Sequence, residues 1–112
     1  MKIQEVKKGG IMVFELDGRL DSVTSNQLEK SLMACLQAGE KNVVIDFSKV
    51  DYISSAGLRV LLMVAKKTKS VGGKAVLAAL SNNVKEVFDI AGFTTIFSIF
   101  AAEDEALASL TK

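Results

Sequence analysis

The chain has 112 residues, 49% of them hydrophobic, which is enough for one core and too apolar for a disordered tail. Fourteen Lys+Arg against thirteen Asp+Glu leave a formal net charge of +1, arguing against the concentrated basic surface that nucleic acid requires. The absence of histidine removes the usual general base and the commonest metal ligand, and a single cysteine permits neither an internal disulfide nor a cysteine-cluster zinc site.

One domain spanning residues 1–112 is therefore expected, without catalytic activity. Met1-Lys2-Ile3-Gln4-Glu5 lacks a signal-peptide pattern, and no apolar run approaches the ~20 residues that cross a bilayer. The expected setting is cytoplasmic, with no membrane insertion.

Lys2 to Lys7 alternates weakly and Gly9-Gly10 follows, predicting a hairpin into a second strand, Ile11 to Leu16, that ends at Asp17-Gly18. A short extended piece at Arg19-Leu20 comes next. Thr24-Ser25-Asn26-Gln27 fits a capping box ahead of a helix with Leu28, Leu32, Cys35 and Leu36 on its apolar side and Gly39 at its end. Cys35 in that stripe reads as a packing thiol. Asn42 to Phe47 has a continuous apolar centre, the pattern of a strand buried on both faces.

A second helix is predicted from Ser55 to about Val71, with Leu58, Leu61, Leu62 and Ala65 inward and Arg59, Lys66 and Lys67 in water. Gly72-Gly73 turns the chain into a strand from Ala75 to Ala79. Asn83 with Glu86 caps a third helix with Val84, Val87, Phe88 and Ala91 inward, and Gly92 ends it. A short strand is expected around Ile96-Phe97. Glu103-Asp104-Glu105 opens a last helix, where the dipole favours acidic residues, with Ala106, Leu107 and Leu110 as its apolar side. Strand and helix alternate after the hairpin, so the expected fold is α/β: a mixed sheet with parallel strands and four helices mainly on one side.

The informative stretch runs from Val43 through Asp51-Tyr52-Ile53-Ser54-Ser55-Ala56-Gly57-Leu58-Arg59. A buried strand ends, and two serines stand directly before an apolar helix. Either serine suits an N-cap, and a hydroxyl at a helix start is also a place where a phosphate would be tolerated. Gly57 in the first turn costs about 1 kcal/mol relative to Ala, which close packing or room for a partner would explain.

Asp51 to Leu58 resembles the signature of the STAS domain family, named for sulfate transporters and anti-sigma-factor antagonists. Val44-Ile45-Asp46-Phe47-Ser48, Leu16-Asp17-Gly18-Arg19-Leu20-Asp21 and Ala91-Gly92-Phe93 extend the resemblance over essentially the whole chain. A free-standing chain of this length looks like a bacterial anti-sigma-factor antagonist. In that family the serine of an Asp-Ser-x-Gly motif is phosphorylated by its own partner, a serine kinase of the histidine-kinase-like ATPase group that doubles as an anti-sigma factor. The matching position is Ser55. Ser54 stands where many members have Asp, and is the alternative acceptor.

The resemblance further implies a metal-dependent serine phosphatase that resets Ser55, and no cofactor on the chain itself, ATP and magnesium belonging to the kinase. The implied partner surface comprises Gly18, Arg19, Leu20, Asp21, Asp51, Ser54, Ser55, Ala56, Gly57, Leu58 and Arg59. Asp21, Asp46 and Asp51 are candidates to surround the phosphate, or are plain turn and cap residues. A rival reading is an accessory subunit of a lipid-transporting ABC system, which would bind its ATPase without a phosphate cycle.

Overall fold

The computed structural model describes residues 1–111. The elements are β1 (Lys2–Lys8), β2 (Ile11–Leu20), α1 (Ser22–Gln37), β3 (Asn42–Ile53), α2 (Ser55–Ser70), β4 (Lys74–Ala78), α3 (Asn82–Ala91), a 3-10 turn (Phe93–Thr95), β5 (Ile99–Phe100) and α4 (Glu103–Leu110). The five strands form one sheet in the order β1-β2-β3-β4-β5. β1 and β2 are antiparallel and every later pairing is parallel, giving the mixed sheet expected.

β3 lies at the centre because its sequence demands cover on both faces. Val43, Val44 and Ile45 are fully buried. Val43, Ile45 and Phe47 enter the larger core with Leu28 and Leu32 of α1, Val60, Leu61 and Val64 of α2, and Val84 and Phe88 of α3. Val44 faces the other side, joining Ile11, Val13, Val76 and Ala78 under Ala106, Leu107 and Leu110 of α4. Three helices thus cover one face and α4 the other.

Several boundaries differ from the sequence expectation. β2 does not stop at Asp17-Gly18. Gly18 takes φ of 127°, and the register against β3 shifts between Glu15 and Asp17 and again between Gly18 and Leu20, so the strand continues through irregular pairing. α1 begins earlier, capped by Asp21 and not within Thr24–Gln27. Pairing with the prolonged β2 likewise carries β3 to Ile53.

The inward face of α2 is rotated from the predicted stripe: Gly57, Val60, Leu61, Val64 and Thr68 are buried, while Leu58, Leu62 and Ala65 are half-buried. Thr68 tolerates this because its hydroxyl lies 3.0 Å from the carbonyls of both Val64 and Ala65. Ser81 caps α3 in place of Asn83, and Ala91, expected inward, is exposed at the end of the helix. The last strand forms at Ile99–Phe100 because Phe97 instead packs with Phe88 and Phe93, their rings 6.3 and 6.2 Å from its own.

Candidate partner-binding site

β2 and β3 run parallel, so their C-terminal ends deliver α1 and α2 from the same edge. Gly18 pairs with Val50 and Leu20 with Ile53. The Ser54 N–H donates to the Leu20 carbonyl at 2.8 Å, tying Gly18–Asp21 directly to Asp51–Arg59. Two segments far apart in sequence thereby share one surface.

Ser54 is the N-cap of α2, its hydroxyl accepting from the Gly57 N–H at 3.2 Å. Ser55 is the first helical residue and is exposed. Its hydroxyl has no protein hydrogen-bond partner among the described residues. The two serines left open by sequence therefore separate: one is engaged by the backbone, the other is presented to solvent. The N–H groups of Ser55 and Ala56 likewise take no protein acceptor among the described residues. Free donors and the positive end of the α2 dipole favour an anion at this point.

The remaining candidates divide into surface and support. Arg19 is exposed, with its guanidinium 4.3 Å from the centre of the Tyr52 ring. Asp51 and Arg59 are exposed, and Gly18, Ala56 and Leu58 are half-buried. Leu20 and Gly57, expected on the partner surface, are buried and cannot present themselves there. A Cβ on Gly57 would lie 2.9 Å from both Leu20 Cγ and Ile53 Cγ1, so this glycine lets the first turn of α2 rest on the strand ends. Close packing, not space for a partner, accounts for it.

Asp21 is a capping residue. Its Oδ1 accepts from the Val23 and Thr24 N–H groups, both at 3.0 Å, and its own N–H donates to the Thr24 hydroxyl at 2.8 Å. The Thr24 N–H bond is the main reason its carboxyl titrates below the ordinary range.

Asp46 does not join Ser55. It alternates with Ile45 and Phe47 along β3 and so points to the α4 face, where its carboxylate, Glu15 and Glu103 lie within 4.8 Å of one another. Burial, reinforced by Glu103, raises the Asp46 pKa. Lys8 contacts Glu103 and lies 3.5 Å from Glu15, supplying positive charge to the cluster. The Cys35 thiol is buried and pushed up to about 11 by desolvation, so it stays protonated and packs.

Sequence reasoning missed Val23 and Tyr52, which are 76% and 41% exposed beside the two helix starts. Tyr52 stood inside the motif, but nothing in the sequence distinguished an outward aromatic from a core one. No helix among the described residues is long and apolar enough to cross a membrane.

The STAS domain family matches residues 2–106. BtrV of Bordetella bronchiseptica, named as an anti-sigma factor antagonist, is 43% identical over 109 residues, covering 97% of this chain and 94% of BtrV. Among solved structures, an anti-sigma factor antagonist of Thermotoga maritima superposes with a TM-score of 0.94 at 19% identity, covering 98% of this chain and 95% of that one. SpoIIAA of Bacillus superposes in its phosphorylated form with a TM-score of 0.77 at 21% identity, covering 96% of this chain and 98% of that one. Its unphosphorylated form gives 0.85 at 22% identity, covering 96% and 95%. With the family match spanning nearly all the residues that build the sheet and its helices, this chain belongs to the STAS domain family.

Proposed function

We propose that this chain is an anti-sigma-factor antagonist switched by phosphate on Ser55. Unmodified, it binds an anti-sigma-factor serine kinase and so releases a sigma factor; phosphorylated, it lets the kinase go, and a metal-dependent serine phosphatase restores it. The observation that carries this reading is the exposed Ser55 at the first position of α2, beside a Ser54 whose hydroxyl is already engaged. The 43% identity to BtrV supports the antagonist role.

The chemistry asks little of the chain itself. The kinase brings ATP and magnesium and transfers the γ-phosphoryl group to the Ser55 oxygen, with ADP as the leaving group and the hydroxyl proton released. The phosphate then carries about −1.5 to −2 charges, next to the unpartnered N–H groups of the first turn. The fold survives, because a helix start accommodates an anion. A partner packed flush against an uncharged hydroxyl must instead bury that charge unpaired. A cost of about 4 kcal/mol there corresponds to roughly a thousandfold in affinity. Asp51, also exposed at the end of β3, adds like charge to the repulsion.

The test compares Ser55→Ala and Ser55→Asp by calorimetric titration against the cognate kinase, with phosphate mapped by mass spectrometry of the wild-type chain after incubation with kinase and ATP. The alanine variant is expected to bind without being released by ATP and the aspartate variant to bind poorly, with the modification on Ser55. Equal binding by both, or modification on Ser54, would count against the assignment.

A further inference from the structure

The outward face of α2 continues past Ser55 into a second feature. Arg59, Leu62, Met63, Lys66, Lys67 and Ser70 line an open cleft of about 400 Å³. These residues follow Ser55 at steps of three and four, so they share its helix face, over about 22 Å of helix. Leu62 and Met63 are half-buried, while Arg59, Lys66 and Lys67 are exposed; long basic side chains lay apolar stems along such a floor and keep their charges at the rim.

The charge on this face is one-sided. α2 carries Arg59, Lys66, Lys67 and Lys69 and no acidic residue. None of Arg59, Lys66 or Lys67 forms an ion pair among the described residues. The helix dipole accounts for Lys67 and Lys69 in the last turn, but Arg59 stands near the positive end, where the dipole disfavours it.

We propose that this face of α2 docks an acidic amphipathic helix of a protein partner, its apolar side on Leu62 and Met63 and its carboxylates against Arg59, Lys66 and Lys67. The proposal rests on the reading that a protein partner docks at Ser55, and it extends that contact along the same helix. A half-buried apolar floor edged by exposed basic side chains fits an acidic helix better than a lipid surface, which needs apolar side chains protruding from the face. A second copy of the chain is a poorer occupant, because Glu103, which opens its acidic helix, is already held by Lys8.

The test titrates the full chain with a fluorescein-labelled helical peptide bearing leucine on one side and glutamate on both flanks. The matched lysine-flanked peptide and phosphatidylglycerol vesicles serve as comparison probes, and light scattering follows self-association. Saturable anisotropy is expected with the acidic peptide alone, weakened roughly tenfold in the R59E/K66E/K67E variant, as the loss of three rim ion pairs implies. Circular dichroism checks that the variant folds, and Leu62→Asp gives an independent loss through the floor.

Equal binding of both peptides, or no loss in either variant, overturns the proposal. So does binding of vesicles in place of peptide, or dimerisation that the charge-reversed variant abolishes. The two readings fail separately. If the Ser55 variants bind the kinase equally while the acidic peptide still docks, the phosphate switch falls and the α2 surface stands. If the Ser55 variants differ while the peptide ignores α2, the reverse holds.

Discussion

The starts of α1 and α2 meet through the bond from the Ser54 N–H to the Leu20 carbonyl, yet their caps take different shares of the first-turn donors. At α1 the box closes: Asp21 accepts from Val23 and Thr24, and Thr24, the third helical residue, returns a hydroxyl to the Asp21 N–H. At α2 the Leu20 carbonyl holds the Ser54 N–H in place of a side chain from Gly57, the third residue, and the Ser54 hydroxyl accepts only from the Gly57 N–H. The close packing of Gly57 on Leu20 and Ile53 is a separate matter: the free donors beside Ser55 follow from a cap that engages a single first-turn N–H. The Asp21 carboxylate takes the Val23 and Thr24 N–H groups, and only the Ser22 N–H of that first turn has no protein acceptor among the described residues. The Ser54 hydroxyl takes one, and the Ser55 and Ala56 N–H groups stay without a protein acceptor among the described residues.

The largest expected effects come from the shared support under both starts. Leu20→Ala should lose about 2–5 kcal/mol by urea unfolding, since Leu20 is fully buried between them. Gly57→Ala should lose about 1–2 kcal/mol: overpacking against Leu20 and Ile53 outweighs the better helix propensity of alanine. A Gly57→Ala chain as stable as wild type would show that the first turn is not held by close approach.

A smaller difference separates the serines. Ser54→Ala removes the cap to Gly57 and should cost about 1 kcal/mol. Ser55→Ala removes an exposed hydroxyl and should stay within about 0.5 kcal/mol of wild type. Phosphorylation should show the reverse pattern, kept by the first variant and abolished by the second. Equal destabilisation by the two substitutions would erase the division between cap and acceptor.

How much of this was legible in the sequence depended on whether a residue's role was local. The central position of β3 could be read from Val43-Val44-Ile45, because no other environment buries both faces of a strand. A helix beginning at Ser55 could be read from the serine pair. The start of α1 was misplaced because Asp21 becomes its cap only when β2 runs on to Leu20, and that needs the irregular pairing around Gly18, a matter of tertiary register. Leu20 and Gly57 were placed on the surface by their neighbourhood in the motif, whereas burial there follows from two helix starts converging on the strand ends. Val23 and Tyr52 escaped for the complementary reason: apolar residues read as interior until the fold leaves them outside. Asp46 was grouped with Asp21, although alternation along β3 sets it on the opposite face of the sheet.

The smallest effect distinguishes the two caps by charge. The Asp21 carboxyl titrates below its ordinary 3.8 because the ionised form accepts the Thr24 and Val23 N–H bonds. A depressed folded pKa means stabilisation that is present above 3.8 and is lost as pH falls through the lowered value. The Ser54 cap is neutral and has no such limb. Following amide shifts from about pH 6 down to about pH 2 should therefore move Thr24 with the Asp21 titration and leave Gly57 unaffected, and Asp21→Asn should remove the Thr24 transition. Asp46 runs the other way. Its raised pKa stabilises the fold below 3.8 and loses that contribution as pH climbs through the raised value, because burial and the facing Glu103 penalise ionisation while Lys8 draws on Glu103 and Glu15. Asp46→Asn should flatten that loss without touching the acid limb. If Gly57 instead titrated with Thr24, the two helix starts would be one coupled unit, and the open turn at Ser55 could not act independently of the closed one.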